Sequence, residues 1–565
     1  MMERSRFRTT PGLAALALAM LLAWPDRAGA QYTDPPAPAA YALKDVTVVH
    51  ADGRRAEGVT LVIRGAFIEA LGPGVEIPPD AQLLEGDSLV VYPGLIDLHG
   101  GAKYEFPRVE VDRSRVQAWS PPRDAQGFTP HRRVVDHLTS TGPDLRDQRR
   151  QGVVAGAVLP TDALAPGRGA FLIYRADAAT PMELVHTPAL GPVLSLRGGR
   201  GVYPATLFAV QAFYRQAFED AARHRTIRAE YARDPRGVPT PAYDPDHEVL
   251  QAALDGELPV YFPVDRAEDI RRVLDLSERY GLRPVIVGGE EAWRVADRLK
   301  QTNVPVLVSV DFPKPERWKP DEEADTATAA SAAELDPAVV REKERIENAY
   351  ANAGRLARVG VRFALTSGGG EGDVHEGVRK AIEYGLSEAD ALRALTITPA
   401  ELIGATHLAR IEAGLPANLV VTRGPIFGKG SRVAYTFVEG VLEKGDTRSA
   451  RSGGSDAPAG SLGGSWSVEF TAPEGSISGE MELDHTGDGF QGTVTTAEFG
   501  TFRIRGGSVS GEAVDFTLIS DFGGEVVELR FTGTVRGDVI EAKASSPFGP
   551  VDMKARRRSG PGGGR

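Results

Sequence analysis

The residues able to do chemistry are limited from the outset. The chain of 565 residues has no Cys and ten His. A thiol nucleophile, a disulfide, and Cys-ligated zinc or iron–sulfur sites are excluded. Metal chemistry would have to come from imidazoles and carboxylates. One stretch gathers both: Glu371, Asp373, His375 and Glu376 follow Gly368-Gly369-Gly370. They offer hard oxygen donors and an imidazole to a divalent metal. The plainer reading is a solvated, glycine-tethered acidic loop leading into a helix at Val378. Asp265 with Glu290-Glu291 offers a carboxylate pair for glycoside chemistry. Acidic residues at a helix start also favour the helix dipole, and that structural reading is preferred. His131 and His137, beside Arg132 and Arg133, read as surface residues, and His186 before Thr187-Pro188 as a loop residue. His50, His224, His247, His407 and His485 show no ligand spacing. No G-x-S-x-G elbow supports an α/β-hydrolase.

The elements that must position these residues follow from hydrophobic periodicity. From about residue 258 strand and helix alternate with short connections: Leu258–Phe262, Pro284–Val287, Val304–Val310 and Val361–Leu365 read as strands. Ala267–Tyr280, Glu290–Lys300 and Val339–Val359 read as the helices between them. Repeated βα units imply a parallel sheet, and the lack of a glycine-rich nucleotide turn favours a barrel. Ser387 with Asp390 reads as the cap of a further helix. Residues 41–92 and 412–445 carry β patterns on either side.

The ends of the chain read differently. Arg4, Arg6 and Arg8 precede an apolar run from Leu13 to Trp24 and an Ala28-Gly29-Ala30 cleavage pattern, so residues 1–30 are expected to be a signal peptide. Its removal would take the net charge from −12 to −14. The expected product is exported, periplasmic or extracellular, with no membrane span. Its acidic balance argues against a nucleic-acid partner. Residues 31–40 form a Pro/Ala linker and 446–463 a Gly/Ser linker. Residues 464–556 alternate apolar and polar positions, predicting an all-β antiparallel domain, with 557–565 a disordered tail. Inside that domain Gly507-Ser-Val-Ser-Gly-Glu-Ala-Val weakly repeats as Gly533-Thr-Val-Arg-Gly-Asp-Val-Ile, each expected to turn at its second Gly.

Val91-Tyr92-Pro93-Gly94-Leu95-Ile96-Asp97-Leu98-His99 resembles the first barrel strand of the amidohydrolase superfamily, which reads "v-x-P-G-L-I-D-x-H-x-H" there. Ile63–Gly72 is similar to that family's preceding hairpin. Ala391–Ala400 is similar to its last barrel helix, and Ile411–Val421 to its "I-E-x-G-K-x-A-D-L-V-V" return. Asp265–Ile270 and Gly288–Leu299 look most like the imidazolonepropionase-type branch, which includes amidases and dipeptidases. The resemblance spans roughly residues 41–445. It implies a (β/α)8 TIM-like barrel over 93–411, with a small composite β-sandwich from 41–92 and 412–445.

It also implies zinc or another divalent metal at the C-terminal strand ends, activating water against an amide carbonyl. The ligand positions can be compared one by one. His99 stands where the first His belongs. The others are Gly101, Pro263, Gly288 and Gly368 where the family has His, His, His and Asp. His99 is the expected surviving metal ligand, with Asp373 and His375 as candidates for a relocated site; no catalytic residue is assigned. Two functions follow. One is hydrolysis of C–N bonds in a small amide or dipeptide-like molecule. The other is a catalytically inactive relative, kept as a binding module or as partner to an active enzyme; the resemblance also suggests a homodimer.

Overall fold

The computed structural model describes residues 40–84, 88–107, 117, 119–198, 203–312, 337–370, 372–445, 462, 464–472, 475–486, 489–496, 500–510, 513–522, 525–546 and 549–557. The expected signal peptide, residues 31–39, Glu371, most of the 446–463 linker and residues 558–565 lie outside them. Contacts divide the chain into two compact units, residues 1–448 and 449–565.

The first unit opens with β1 (Ala40–Val49), β2 (Arg55–Arg64), β3 (Phe67–Gly72), β4 (Ala81–Leu84) and β5 (Leu89–Pro93). The barrel strands are β6 (Leu95–Asp97), β7 (Val153–Val158), β8 (Ala170–Ile173), β9 (Val185–Thr187), β10 (Pro259–Val264), β11 (Arg283–Gly288), β12 (Val306–Ser309) and β13 (Phe363–Thr366). Then come β14 (Leu419–Arg423), β15 (Arg432–Val438) and β16 (Val441–Lys444). The helices used below are α1 (Leu207–Arg233), α2 (Pro245–Leu254), α3 (Ala267–Tyr280), α4 (Ala296–Gln301), α5 (Pro337–Val359), α6 (Val374–Glu383) and α7 (Glu388–Leu395).

Strands from both flanks combine into one eight-stranded sheet, β16-β15-β14-β5-β1-β2-β3, with β4 beside β1. The expected composite sandwich draws its strands from both flanks, hydrogen-bonded in one mixed path. β5 pairs parallel with β1 and antiparallel with β14, so it joins the two flanks. Leu43, Leu61, Ile63, Val91, Leu419 and Phe437 meet in one buried cluster.

The barrel is regular in one half. β10, β11, β12 and β13 are parallel throughout. Their two-residue period divides two cores. Val260, Phe262, Ile286, Val306, Val308 and Leu365 join the outer layer with Ile270, Val273 and Leu356 of the helices. Tyr261, Val285, Val287, Leu307 and Ala364 join the inner cluster. The expected helix over Glu290–Lys300 is a 3-10 turn, Ala292–Val295, followed by the short α4. At α7, Ser387 Oγ accepts from Asp390 N at 3.0 Å, the expected cap.

The other half departs from a uniform (β/α)8 pattern. β6 and β7 are parallel, but β7-β8-β9 run antiparallel. Between β7 and β8 the chain makes no helix, and a parallel return needs a crossover of a dozen residues or more. The halves meet through a parallel bridge between Val193 and Tyr261.

The second unit holds β17 (Gly464–Ala472), β18 (Gly475–Thr486), β19 (Gly489–Thr496), β20 (Gly500–Ser510), β21 (Ala513–Phe522), β22 (Glu525–Arg536), β23 (Val539–Ser546) and β24 (Gly549–Arg557). They form an up-and-down barrel closed by β17 against β24. Its interior is filled by Trp466, Met481, Phe490, Phe516, Phe531 and Met553. Trp466 Nε1 donates to the Leu462 carbonyl at 3.0 Å. The repeat falls on the hairpins β20–β21 and β22–β23; Gly537 forms the second turn, and Gly511 lies outside the described residues. Among the described residues no helix is long and apolar enough to cross a membrane.

Candidate functional site at the mouth of the barrel

Continuing the inward parity of the barrel strands leads to their C-terminal ends. Tyr261, Val285 and Leu307 fill the interior, and Pro263, Val287 and Ser309, two residues further on each strand, line a cavity of about 340 Å³. His99, Thr161, Ser195, Arg197, Asp265, Glu290, Asp311, Phe312 and Asn352 complete most of its wall. This is the face on which barrel folds carry their sites.

Beneath the cavity, Asp97 ties the first barrel strand to the last. Its carboxylate is buried and accepts from His99 N at 3.0 Å and from Ser367 N at 3.3 Å. Ser367 Oγ also donates to it, and Gly369 N donates to the His99 carbonyl at 2.7 Å. Burial pushes the Asp97 carboxyl up, against these hydrogen bonds. Burial pushes the His99 imidazole down, opposed by the charges of Asp97 and Asp265. Asp265 is raised by loss of solvation as well. Glu290 is raised by burial and pulled back by Arg345, its ion-pair partner at 2.6 Å.

Each position of the family's ligand set has its own surroundings. Pro263 faces inward at the end of β10, as the register predicts, but carries no donor. At β11 the inward residue is Val287; Gly288, the last residue of the strand, has φ +91°, a left-handed value that L side chains rarely adopt. A Cβ at 288 would lie 2.3 Å from Asp265 Oδ1, so the Asp265 carboxylate fills that place. Gly368 has φ +70°, and a Cβ there would meet Ser309 Oγ at 2.5 Å. A Cβ at Gly369 would stand 3.3 Å from His99 Nε2, so the loop backbone runs along that edge of the ring. Gly101 alone has ordinary room, its nearest neighbours being Gln148 Nε2 and the Gly370 carbonyl at 3.5 Å.

Asp373 and His375 do not join His99 in the cavity wall. Asp373 caps α6 by accepting from His375 N at 2.8 Å and Glu376 N at 3.4 Å. His375 is buried, and its Nε2 lies 2.7 Å from the Gln151 carbonyl, which accepts from it. Among the described residues no three His, Asp or Glu side chains converge to hold a metal ion. Of the expected carboxylate pair, Asp265 and Glu290 both line the cavity, while Glu291 Oε2 accepts from Ala267 N at 2.9 Å and caps α3. His131 is exposed, as expected of a surface residue, and its Nδ1 contacts the buried Asp246 carboxylate at 2.5 Å.

The buried imidazole of α6 carries a pH dependence. Burial holds His375 below the ordinary imidazole range, ahead of the opposing hydrogen bond to Gln151. The folded chain then binds fewer protons there than the unfolded chain, so stability is full above that range and falls as the pH drops through it. Acidification from about pH 7.5 to about pH 5 should destabilise the first unit, and His375→Asn should flatten that slope. Urea midpoints at several pH values measure it; equal slopes in both chains would rule out the assignment.

Reading residue types alone finds His99, Asp265 and Glu290 and misses Arg197, Ser309, Asp311 and Asn352. Asp311, two residues beyond β12, carried the same strand-end signal as Asp265. Asn352 had no local signal: from α5 its Nδ2 donates to the Gly289 carbonyl at 2.9 Å, and its Oδ1 accepts from Trp293 N at 3.1 Å, holding the turn after β11.

A barrel flanked by a two-ended β layer, with its cavity at the strand C-termini and a histidine after the first strand, is the frame of the metal-dependent hydrolase fold. Residues 267–442 match the amidohydrolase family model. Amidohydrolase tasK of Hapsidospora irregularis is 22% identical over 423 residues, 69% of this chain. The chain spans 40% of that relative's length. The crystal structure of an amidohydrolase from Thermotoga maritima MSB8 superposes with a TM-score of 0.56 at 21% identity, covering 71% of this chain and 99% of that one. A prolidase crystallised with N-methylphosphonate-L-proline gives 0.42 at 18% identity, covering 72% of this chain and all of that one.

Proposed function

We propose that this chain is an amidohydrolase-fold protein of the imidazolonepropionase-like branch whose barrel mouth binds a small molecule without metal-activated water. One observation carries the reading: of the family's ligand positions only His99 carries a donor, and side chains at 288 and 368 would collide with Asp265 and Ser309. A catalytic zinc usually needs three protein ligands. Here one imidazole is joined by carboxylates on separate strand ends, one of them engaged by Arg345. This donor set does not fit the metal the family implies. What remains is a polar cavity on a rigid barrel, suited to recognition.

The second reading, hydrolysis of a small amide or dipeptide-like substrate, is favoured by the family match over 267–442. Metal analysis of protein purified without chelators separates the two, together with assays on dipeptides and cyclic amides with and without added zinc. The expected result is no stoichiometric metal and no turnover. Stoichiometric zinc, manganese or iron with turnover would overturn the binding reading. We also propose export, supported by the apolar run and cleavage pattern before Gln31; a chain found in the host's cytoplasmic fraction with its N-terminus still at Met1 would refute it.

A further inference from the structure

We propose that the cavity takes a small organic cation, a molecule carrying a primary ammonium or guanidinium group, held between Asp265 and Asp311. The inference rests on the binding reading above. Asp265 follows β10 and Asp311 follows β12, so the two carboxylates flank the end of β11 on the same cavity wall. Among the described residues neither has an ion-pair partner within 4 Å. Their neighbour Glu290 differs, being matched by Arg345. Gly370 keeps space around Asp311: a Cβ there would press on Asp311 Oδ2 at 3.2 Å.

A separate observation points to a ligand in the same place. His99 is partly buried, lines the cavity, and has no hydrogen-bond partner on either ring nitrogen among the described residues. An imidazole that lines a cavity without a partner leaves a nitrogen free to accept one. An ammonium offers three donors and a guanidinium five, and both carboxylates and an imidazole nitrogen accept them. Phe312 adds an aromatic side chain to the wall, and cations favour such faces. Arg197, which also lines the wall, stands near Asp265. The cavity, about 340 Å³, lies at the small end of ligand pockets.

The test is titration calorimetry on the full chain at low salt with cadaverine and agmatine, set against 1-pentanol and pentanoate. The amines should bind saturably and the neutral and anionic chains should not. Asp265→Asn and Asp311→Asn should each weaken amine binding about tenfold while leaving the melting curve in place. Should a variant melt early, the wild-type chain decides, since amine affinity must fall as salt rises. The proposal is overturned by absence of saturable amine binding, by pentanol or pentanoate binding equally well, or by amine affinity indifferent to both substitutions. Pentanoate binding alone would overturn the cation and leave the binding reading standing. Stoichiometric metal with turnover would remove that reading instead.

Discussion

Asp97→Ala should cost the first unit about 3 kcal/mol of stability, through two buried backbone donors and a hydroxyl left without their acceptor. Those donors are His99 N, Ser367 N and Ser367 Oγ. The sequence separation is wide, but the contact is local to the barrel seam, where β6 and β13 share no ladder. Asp97→Asn keeps one acceptor oxygen and should cost about 1 kcal/mol, the net worth of one hydrogen bond. Hydrogen exchange read by mass spectrometry in a urea series would resolve peptides across β6 and β13. A loss below about 0.5 kcal/mol for the alanine variant, the noise of ordinary surface changes, would show that the seam is held by something else.

Gly288→Ala should cost about as much, for a different reason. The left-handed backbone costs an L-residue about 1–2 kcal/mol, and overpacking against Asp265 about 1–3 kcal/mol more. The second part disappears if Asp265 is shortened too. Gly288→Ala with Asp265→Ala should therefore be less damaging than the sum of the two, because the residues touch. Gly101→Ala is the contrast, with no left-handed φ and ordinary contacts, and should stay within about 0.5 kcal/mol. Strict additivity in the double variant would dismiss the claim that the carboxylate occupies the side-chain space of position 288. The same geometry bears on restoration: a histidine at 288 or an aspartate at 368 meets backbone strain before it meets a metal.

Much of the regular half of the barrel was legible in the chain. Val260, Phe262 and Val264 alternate with Tyr261 and Pro263, and the helix over Ala267–Tyr280 has the bounds its apolar spacing predicts. The irregular half was not. Its strands β6, β7 and β8 are short and buried on both faces, so apolar runs such as Val153–Val158 carry no sign of direction. The antiparallel turn from β7 to β8 depends on a connection lacking a helix, which no periodicity records. The site was legible where motif and strand end coincide, at His99 and Asp265. It was hidden where tertiary closure decides, as for Asn352, or where a backbone torsion decides, as for Gly288. The acidic stretch around His375 shows the converse: a ligand-like composition spent on capping a helix and anchoring it to the Gln151 carbonyl.

The sheet shared by the two ends of the first unit has a consequence for biogenesis. Tyr92 of β5 sits opposite Val420 of β14, so a strand made early waits for a partner made near the end of the unit. Until then β5 presents an open hydrogen-bonding edge, the kind that pairs with the wrong chain. Closing so long a loop is entropically costly and slow, which delays assembly of the unit until its last strands emerge. A chain ending before residue 419 would lack β14 and keep that edge for good.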